Sequence, residues 1–219
     1  MMRYGWSRCL VHLGLVAALL FGAPAGASRE RPLVWAYGDS LVAGYGLPPA
    51  QGFTAQLQAA LRRAGVAATV RNGGVAGDTT AQARARLLWG LRGLRAQPDL
   101  VIVELGANDM LRGLPPAQAR TNLDAILTEL RRRRIPVLLA GMRAAPNLGA
   151  AYAREFEGAY PALARKHGTA LYPFFLDGSA GRRELTQADG LHPNARGVAV
   201  IVARMLPQVR AALRQAGGR

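Results

Sequence analysis

From about residue 30 to residue 215 the chain alternates short apolar runs with longer amphipathic stretches. Leu33–Tyr37, Val66–Arg71, Leu100–Leu105, Val137–Ala140 and Thr169–Tyr172 are short, mostly apolar and bounded by Gly, Pro, Asn or Asp, which predicts strands. Phe53–Ala64, Thr79–Leu94, Ala117–Arg134, Ala150–His167 and Ala195–Leu213 are long enough for helices. In the third of these, Leu123, Ile126, Leu127 and Leu130 recur at helical spacing and predict one buried stripe. Strands that are apolar on both faces and separated by helices predict a parallel sheet covered on both sides, a three-layer α/β/α sandwich. Ligands of such sheets bind beyond the carboxyl ends of the strands, so that is where chemistry is expected.

The N-terminus follows a different pattern. Arg3 and Arg8 precede an apolar run, Leu10–Phe21, which ends in the small residues of Ala23–Ala27. This predicts a secretory signal peptide over residues 1–27, cut after Ala27, with residues 28–219 as one domain. The alternative is a retained membrane anchor, but the run falls short of the roughly 18–20 apolar residues that span a bilayer. An exported, periplasmic or secreted protein is expected. Cleavage would remove Cys9, the one cysteine, leaving neither a disulfide framework nor a multi-cysteine metal site.

Composition adds a question. Half of the 219 residues are hydrophobic, which excludes a disordered chain. The 28 Lys+Arg against 13 Asp+Glu give a formal net charge of +15, which raises nucleic-acid binding as a possibility. The four consecutive arginines Arg131–Arg134 are its best support, yet they close a helix, where cations offset the helix dipole. No zinc-finger spacing or aromatic-rich RNA-binding strand accompanies them. Lys166 is the sole lysine, a skew that suits codon composition more than selection for nucleic acid. Nucleic acid is therefore not an expected partner, whereas electrostatic contact with anionic phospholipid surfaces is.

Reactive residues are few enough for elimination. Beyond the leader the serines are Ser28, Ser40 and Ser179, and the histidines His167 and His192. Ser28 would be a frayed new terminus, and Ser179 sits in a Gly-rich turn. Ser40 directly follows a strand and Gly38, where it is either a presented hydroxyl or a helix cap. His167 ends a helix before Gly168 and is read as structural. His192 has Asp189 three residues before it; this is either an ordinary surface pair or a base held by its carboxylate. A serine hydroxyl needs such a base at neutral pH, and His192 is the one available. The Ser40 and Gly77 amides and the Asn108 side chain are candidate donors to an oxyanion, although Asn108 and Gly77 taken singly suit turns equally well.

Four segments carry a resemblance: Gly38-Asp39-Ser40-Leu41, Gly77, Gly106-Ala107-Asn108-Asp109 and Asp189-Gly190-Leu191-His192-Pro193-Asn194. They resemble the blocks of the SGNH (GDSL-type) hydrolases, most closely the bacterial periplasmic thioesterase I/protease I/lysophospholipase (arylesterase) group. The likeness covers nearly the whole mature chain. It implies a flavodoxin-like sandwich with a five-stranded parallel sheet, Ser40 as nucleophile, His192 as base and Asp189 as its orienting partner. It also implies an oxyanion hole from the Ser40 amide, Gly77 and Asn108. Val42 stands where a Gly-x-Ser-x-Gly elbow requires glycine, which separates the chain from α/β-hydrolases of that type. Ala107 replaces a glycine frequent in the nearest relatives.

The resemblance implies hydrolysis of carboxylic esters or thioesters through an acyl-enzyme, with lysophospholipids, acyl thioesters and aryl esters as substrate classes. A carbohydrate or peptidoglycan O-acetyl esterase is the alternative, and a basic binding module the non-enzymatic one. No metal or organic cofactor is expected, and the chain is expected to be a monomer. Leu111, Leu114 and Pro115, with Pro116, follow the Asn108 loop and are read either as an apolar acyl wall or as a loop packed on the core.

Overall fold

A computed structural model of the protein describes Met1 and residues 31–217. The signal-peptide expectation falls on residues outside that description. From Arg31 onward the chain forms one unit.

Five strands make the sheet: β1 (Leu33–Gly38), β2 (Thr69–Gly74), β3 (Leu100–Glu104), β4 (Val137–Ala140) and β5 (Ala170–Tyr172). Their order is β2-β1-β3-β4-β5 and every pairing is parallel. This is the flavodoxin-like arrangement, whose switch point lies between β1 and β3. The helices are α1 (Ser40–Ala43), α2 (Phe53–Arg63), α3 (Thr80–Arg92), α4 (Ala107–Leu111), α5 (Pro116–Arg132), α6 (Gly149–His167) and α7 (Ala195–Gly217). α2 packs with α7, and α5 packs with both α3 and α6, giving the two outer layers.

β3 is buried from end to end, and β1 is buried at every residue but Leu33, because helices cover both faces of these central strands. In α5 the expected stripe of Leu123, Ile126, Leu127 and Leu130 is buried, together with Ala119. Its last turn is basic, and Glu129 pairs with Arg132 at 2.8 Å and Arg133 at 2.6 Å, so two of the four consecutive arginines are engaged locally. His167 is structural as expected: its Nε2 meets Asp124 Oδ1 at 2.6 Å at the end of α6, before the left-handed Gly168.

Two departures bear on the site. β2 begins at Thr69, three residues later than its apolarity predicts, and runs into Asn72-Gly73-Gly74. Val66 instead closes α2 through its N–H to Leu61 O, and β1 pairs with β2 as far as Gly38 opposite Gly74. The short helices α1 and α4 have no amphipathic period to reveal them, being four and five residues long. Both begin immediately beyond strand ends, and both carry a candidate catalytic side chain.

Candidate active site

Ser40 opens α1 directly after β1. Gly38 has to be glycine: a Cβ there would lie 2.6 Å from both Glu104 O and Glu104 Oε2 on the neighbouring strand. Asp39 caps α1, its Oδ1 accepting from the Leu41 N–H at 3.1 Å, which sets the first turn that carries the hydroxyl. The loop 189–194 brings His192 over it. His192 Nε2 lies 2.9 Å from Ser40 Oγ, and Nδ1 lies 2.6 Å from Asp189 Oδ2. Asp189 Oδ1 accepts the N–H groups of Leu191 and His192 at 2.9 and 3.0 Å. The bond to the imidazole, followed by these two amides, holds the Asp189 carboxyl down at about 2. Of the two serines among the described residues, Ser40 and Ser179, Ser40 alone meets a histidine.

Asn108 sits in the first turn of α4. Its N-cap Gly106 has φ +114°, and a side chain there would collide with the Tyr160 hydroxyl, which donates to Leu105 O at 2.9 Å. That buried tyrosine therefore requires glycine at the cap of α4, two residues before Asn108. Asn108 Nδ2 donates to Asp39 Oδ2 at 3.1 Å and to Asp78 O at 3.0 Å. Both amide hydrogens are thus engaged in the resting enzyme, and one must be released before an oxyanion can use it.

The Gly77–Asp78 loop is anchored by Arg86 of α3, a residue sequence reasoning missed. Its Nε lies 2.5 Å from Asp78 Oδ2, and its other nitrogens donate to Gly73 O at 3.0 Å and Gly38 O at 2.9 Å. The guanidinium also lies 4.4 Å from the Tyr37 ring centroid. One arginine therefore ties the ends of β1 and β2 to the loop bearing Gly77. Tyr45 and Gln187 were missed as well. The Tyr45 ring packs 4.7 Å from that of His192, and Gln187 Nε2 bridges Tyr45 O and Pro193 O at 2.8 and 3.0 Å. No sequence spacing links these residues, because they meet through loops far apart in the chain.

A cavity of about 570 Å³ opens beside Ser40, His192, Gly77 and Asn108. Its apolar wall comes from Tyr45, Met110, Leu111, Met142, Phe174 and Leu176. Leu111 is where the acyl-wall expectation put it; Leu114 and Pro115 are not. Leu114 is half-buried and its O accepts from the Tyr152 hydroxyl at 2.9 Å, while Pro115 is exposed and caps α5. Buried Ser179 also lines the cavity. Among the described residues no group of three or more His, Cys, Asp or Glu is placed to hold a metal ion.

A serine, an imidazole and a carboxylate in sequence beside an apolar cavity are the parts of a serine hydrolase. Residues 36–200 match the GDSL-like lipase/acylhydrolase family model. The chain belongs to this family. It is a serine hydrolase of the esterase type. It is 40% identical over 186 residues to esterase TesA from Pseudomonas aeruginosa, covering 85% of this chain and 90% of that protein. It is 36% identical over 157 residues to thioesterase 1/protease 1/lysophospholipase L1 from Escherichia coli K12, covering 72% and 73%. Among solved structures, the SGNH-hydrolase esterase AlinE4 is 52% identical with a TM-score of 0.72, covering 84% of this chain and 97% of that one. A crystal structure of TesA is 38% identical with a TM-score of 0.77, covering 82% and 99%.

Proposed function

We propose that this hydrolase cleaves its esters through an acyl-enzyme on Ser40, with His192 as general base and then acid, and Asp189 holding the imidazole. The carrying observation is the continuous relay, 2.9 Å from Ser40 Oγ to His192 Nε2 and 2.6 Å from Nδ1 to Asp189. His192 takes the hydroxyl proton as Oγ attacks the carbonyl and returns it to the leaving alcohol or thiol; water then repeats the sequence on the acyl-enzyme. The N–H groups of Ser40 and Gly77 and the Asn108 amide receive the oxyanion. Ser40→Ala should abolish hydrolysis of a para-nitrophenyl ester with the fold intact, and a fluorophosphonate should label Ser40 in the parent but not in His192→Ala. Persistent turnover in Ser40→Ala would refute the assignment.

The substrate we favour is a lysophospholipid or another ester with an apolar acyl chain. The aliphatic and aromatic wall of the cavity supports this over an acetylated sugar, which needs polar partners. Export through the N-terminal leader, part of the same proposal, would also separate the enzyme from acyl-CoA. Tyr45, Leu111 and Leu191, each about half exposed, lie at the cavity, with Val75 close in sequence to its Ala76 and Gly77. Exposed Arg112 and Arg143 accompany them. An apolar rim with flanking cations suits docking of a monomer on an anionic phospholipid surface. Lysophospholipids, acyl thioesters and acetylated sugars assayed side by side decide the class, and turnover of the sugars alone would reject this reading. Association with anionic liposomes should weaken as salt is raised.

A further inference from the structure

Beneath Ser40 lie two carboxyl groups that the mechanism above leaves without a task. Glu104 ends β3 opposite Gly38 and is fully buried. Its Oε2 accepts a long bond, 3.4 Å, from the Asp39 N–H, and its Oε1 meets no hydrogen-bond partner. The Asp39 carboxyl is equally buried, and because the Asp39 N–H reaches Glu104 Oε2 the two acidic side chains are neighbours in a site that exposes neither. Asp39 is well supplied with donors, from Leu41 N–H and Asn108 Nδ2, while Glu104 is not.

The other ionisable groups around the pair supply no compensating cation at contact. Asp109 of α4 is occupied by Thr80, whose N–H and hydroxyl donate to it at 2.8 and 2.6 Å. Tyr160 of α6 gives its proton to Leu105 O, and Tyr152 gives its own to Leu114 O. His192 acts on Asp39 only through space. Two ionised carboxylates in contact in a dry site repel and are poorly solvated, so one retains a proton. The one that keeps it is Glu104, raised well above the ordinary range by burial and by Asp39.

We propose that Glu104 is a neutral acid hydrogen-bonded to an ionised Asp39, and that through Asp39 it positions Asn108 for the oxyanion. Glu104 is thus a positioning residue, touching neither substrate nor nucleophile. The charge on Asp39 makes its bond to Asn108 the stronger of that amide's two, so substrate claims the hydrogen now on Asp78 O. The inference rests on the reading of Asn108 as an oxyanion donor.

The test compares Glu104→Gln, Glu104→Leu, Asn108→Ala and the double variant Glu104→Leu/Asn108→Ala, following kcat and KM for a para-nitrophenyl ester against pH. Gln preserves a neutral donor and should keep kcat within about threefold, whereas Leu should lower it roughly tenfold near pH 7 with KM little changed. Without its donor the Asp39 carboxyl would hold a proton to higher pH, so the Leu variant should recover as pH is raised. A packing defect would not. In the Asn108→Ala background the Leu substitution should cost nothing further. Multiplicative losses in the double variant, a Gln variant as impaired as Leu, or full kcat in the Leu variant would each overturn the proposal. Full kcat in Asn108→Ala alone would instead overturn the oxyanion reading. Should the Leu variant fail to fold, infrared difference spectra near pH 8 still decide about Glu104. A protonated-carboxyl band should be present in the parent and lost in Glu104→Gln, and its absence from the parent would overturn the proposal.

Discussion

Replacing Asn108 by alanine tests the oxyanion assignment with a magnitude that the geometry adjusts. Removing one preorganised oxyanion donor generally costs about 2.7–4 kcal/mol of transition-state stabilisation. Here the donor is not idle at rest, because Nδ2 already serves Asp39 Oδ2 at 3.1 Å and Asp78 O at 3.0 Å. Releasing the neutral bond to Asp78 O offsets about 1 kcal/mol of the gain. The expected loss is therefore about 2–3 kcal/mol, a fall in kcat of roughly 30- to 150-fold. It should appear in kcat rather than KM, since the bond to the oxyanion forms at full strength only in the transition state. Losing two resting hydrogen bonds should also lower folding stability by about 1–2 kcal/mol. Steady-state kinetics on a para-nitrophenyl ester, paired with thermal melting, measure both. A kcat loss below about fivefold, or one confined to KM, would refute the reasoning.

Three further outcomes follow from the same geometry. Burial pushes the Asp39 carboxyl up to about 6, against the bonds that favour its charge. The folded state then binds a proton more tightly than the unfolded one, so stability should fall as pH rises from about 4 to about 6, and Asp39→Asn should gain about 2 kcal/mol at pH 7 while losing activity, as paired melting and kinetics would reveal. Arg86→Met leaves Asp78 without its cation and removes one donor each from the Gly38 and Gly73 carbonyls, an expected cost of about 3 kcal/mol by urea unfolding, with reduced kcat. Asp189→Asn removes the acceptor that sets the His192 tautomer and should lower kcat by about 10³-fold or more. Because the parent Asp189 carboxyl titrates near 2, carboxyl NMR should detect it ionised throughout the pH range in which the enzyme works.

Much of the site was legible in the sequence because its residues are scarce or adjoin strand ends. Ser40 and His192 stood out in a chain with few serines and histidines, and Asp189 lies three residues from its partner. Asn108 and Gly77 follow the apolar runs that become β3 and β2. Leu114 and Pro115 were left open in the sequence because an apolar loop composition suits a cavity wall and a packed connection alike; in the structure Leu114 is half-buried, Pro115 is exposed, and neither lines the cavity. Arg86 and Tyr45 gave no warning. Arg86 reads as one more arginine on a basic helix, and its three anchors converge only when β1 and β2 lie side by side.

The sequence by itself determined the alternation of strands and helices and the parallel sheet, and it singled out Ser40, His192 and Asp189 as the candidates for nucleophile, base and orienting acid. Those follow from local periodicity and from residue types that have few alternative uses. Tertiary structure alone decided the environment in which they act. The pairing of Gly38 with Glu104 across two strands brings Glu104 against Asp39, and Tyr160 packs where any side chain at Gly106 would have to go. Hydrophobic pattern records only that a position is buried. Glu104 reads as a polar end to an apolar strand, and its protonation depends on neighbours and dielectric that exist only once the sheet is assembled.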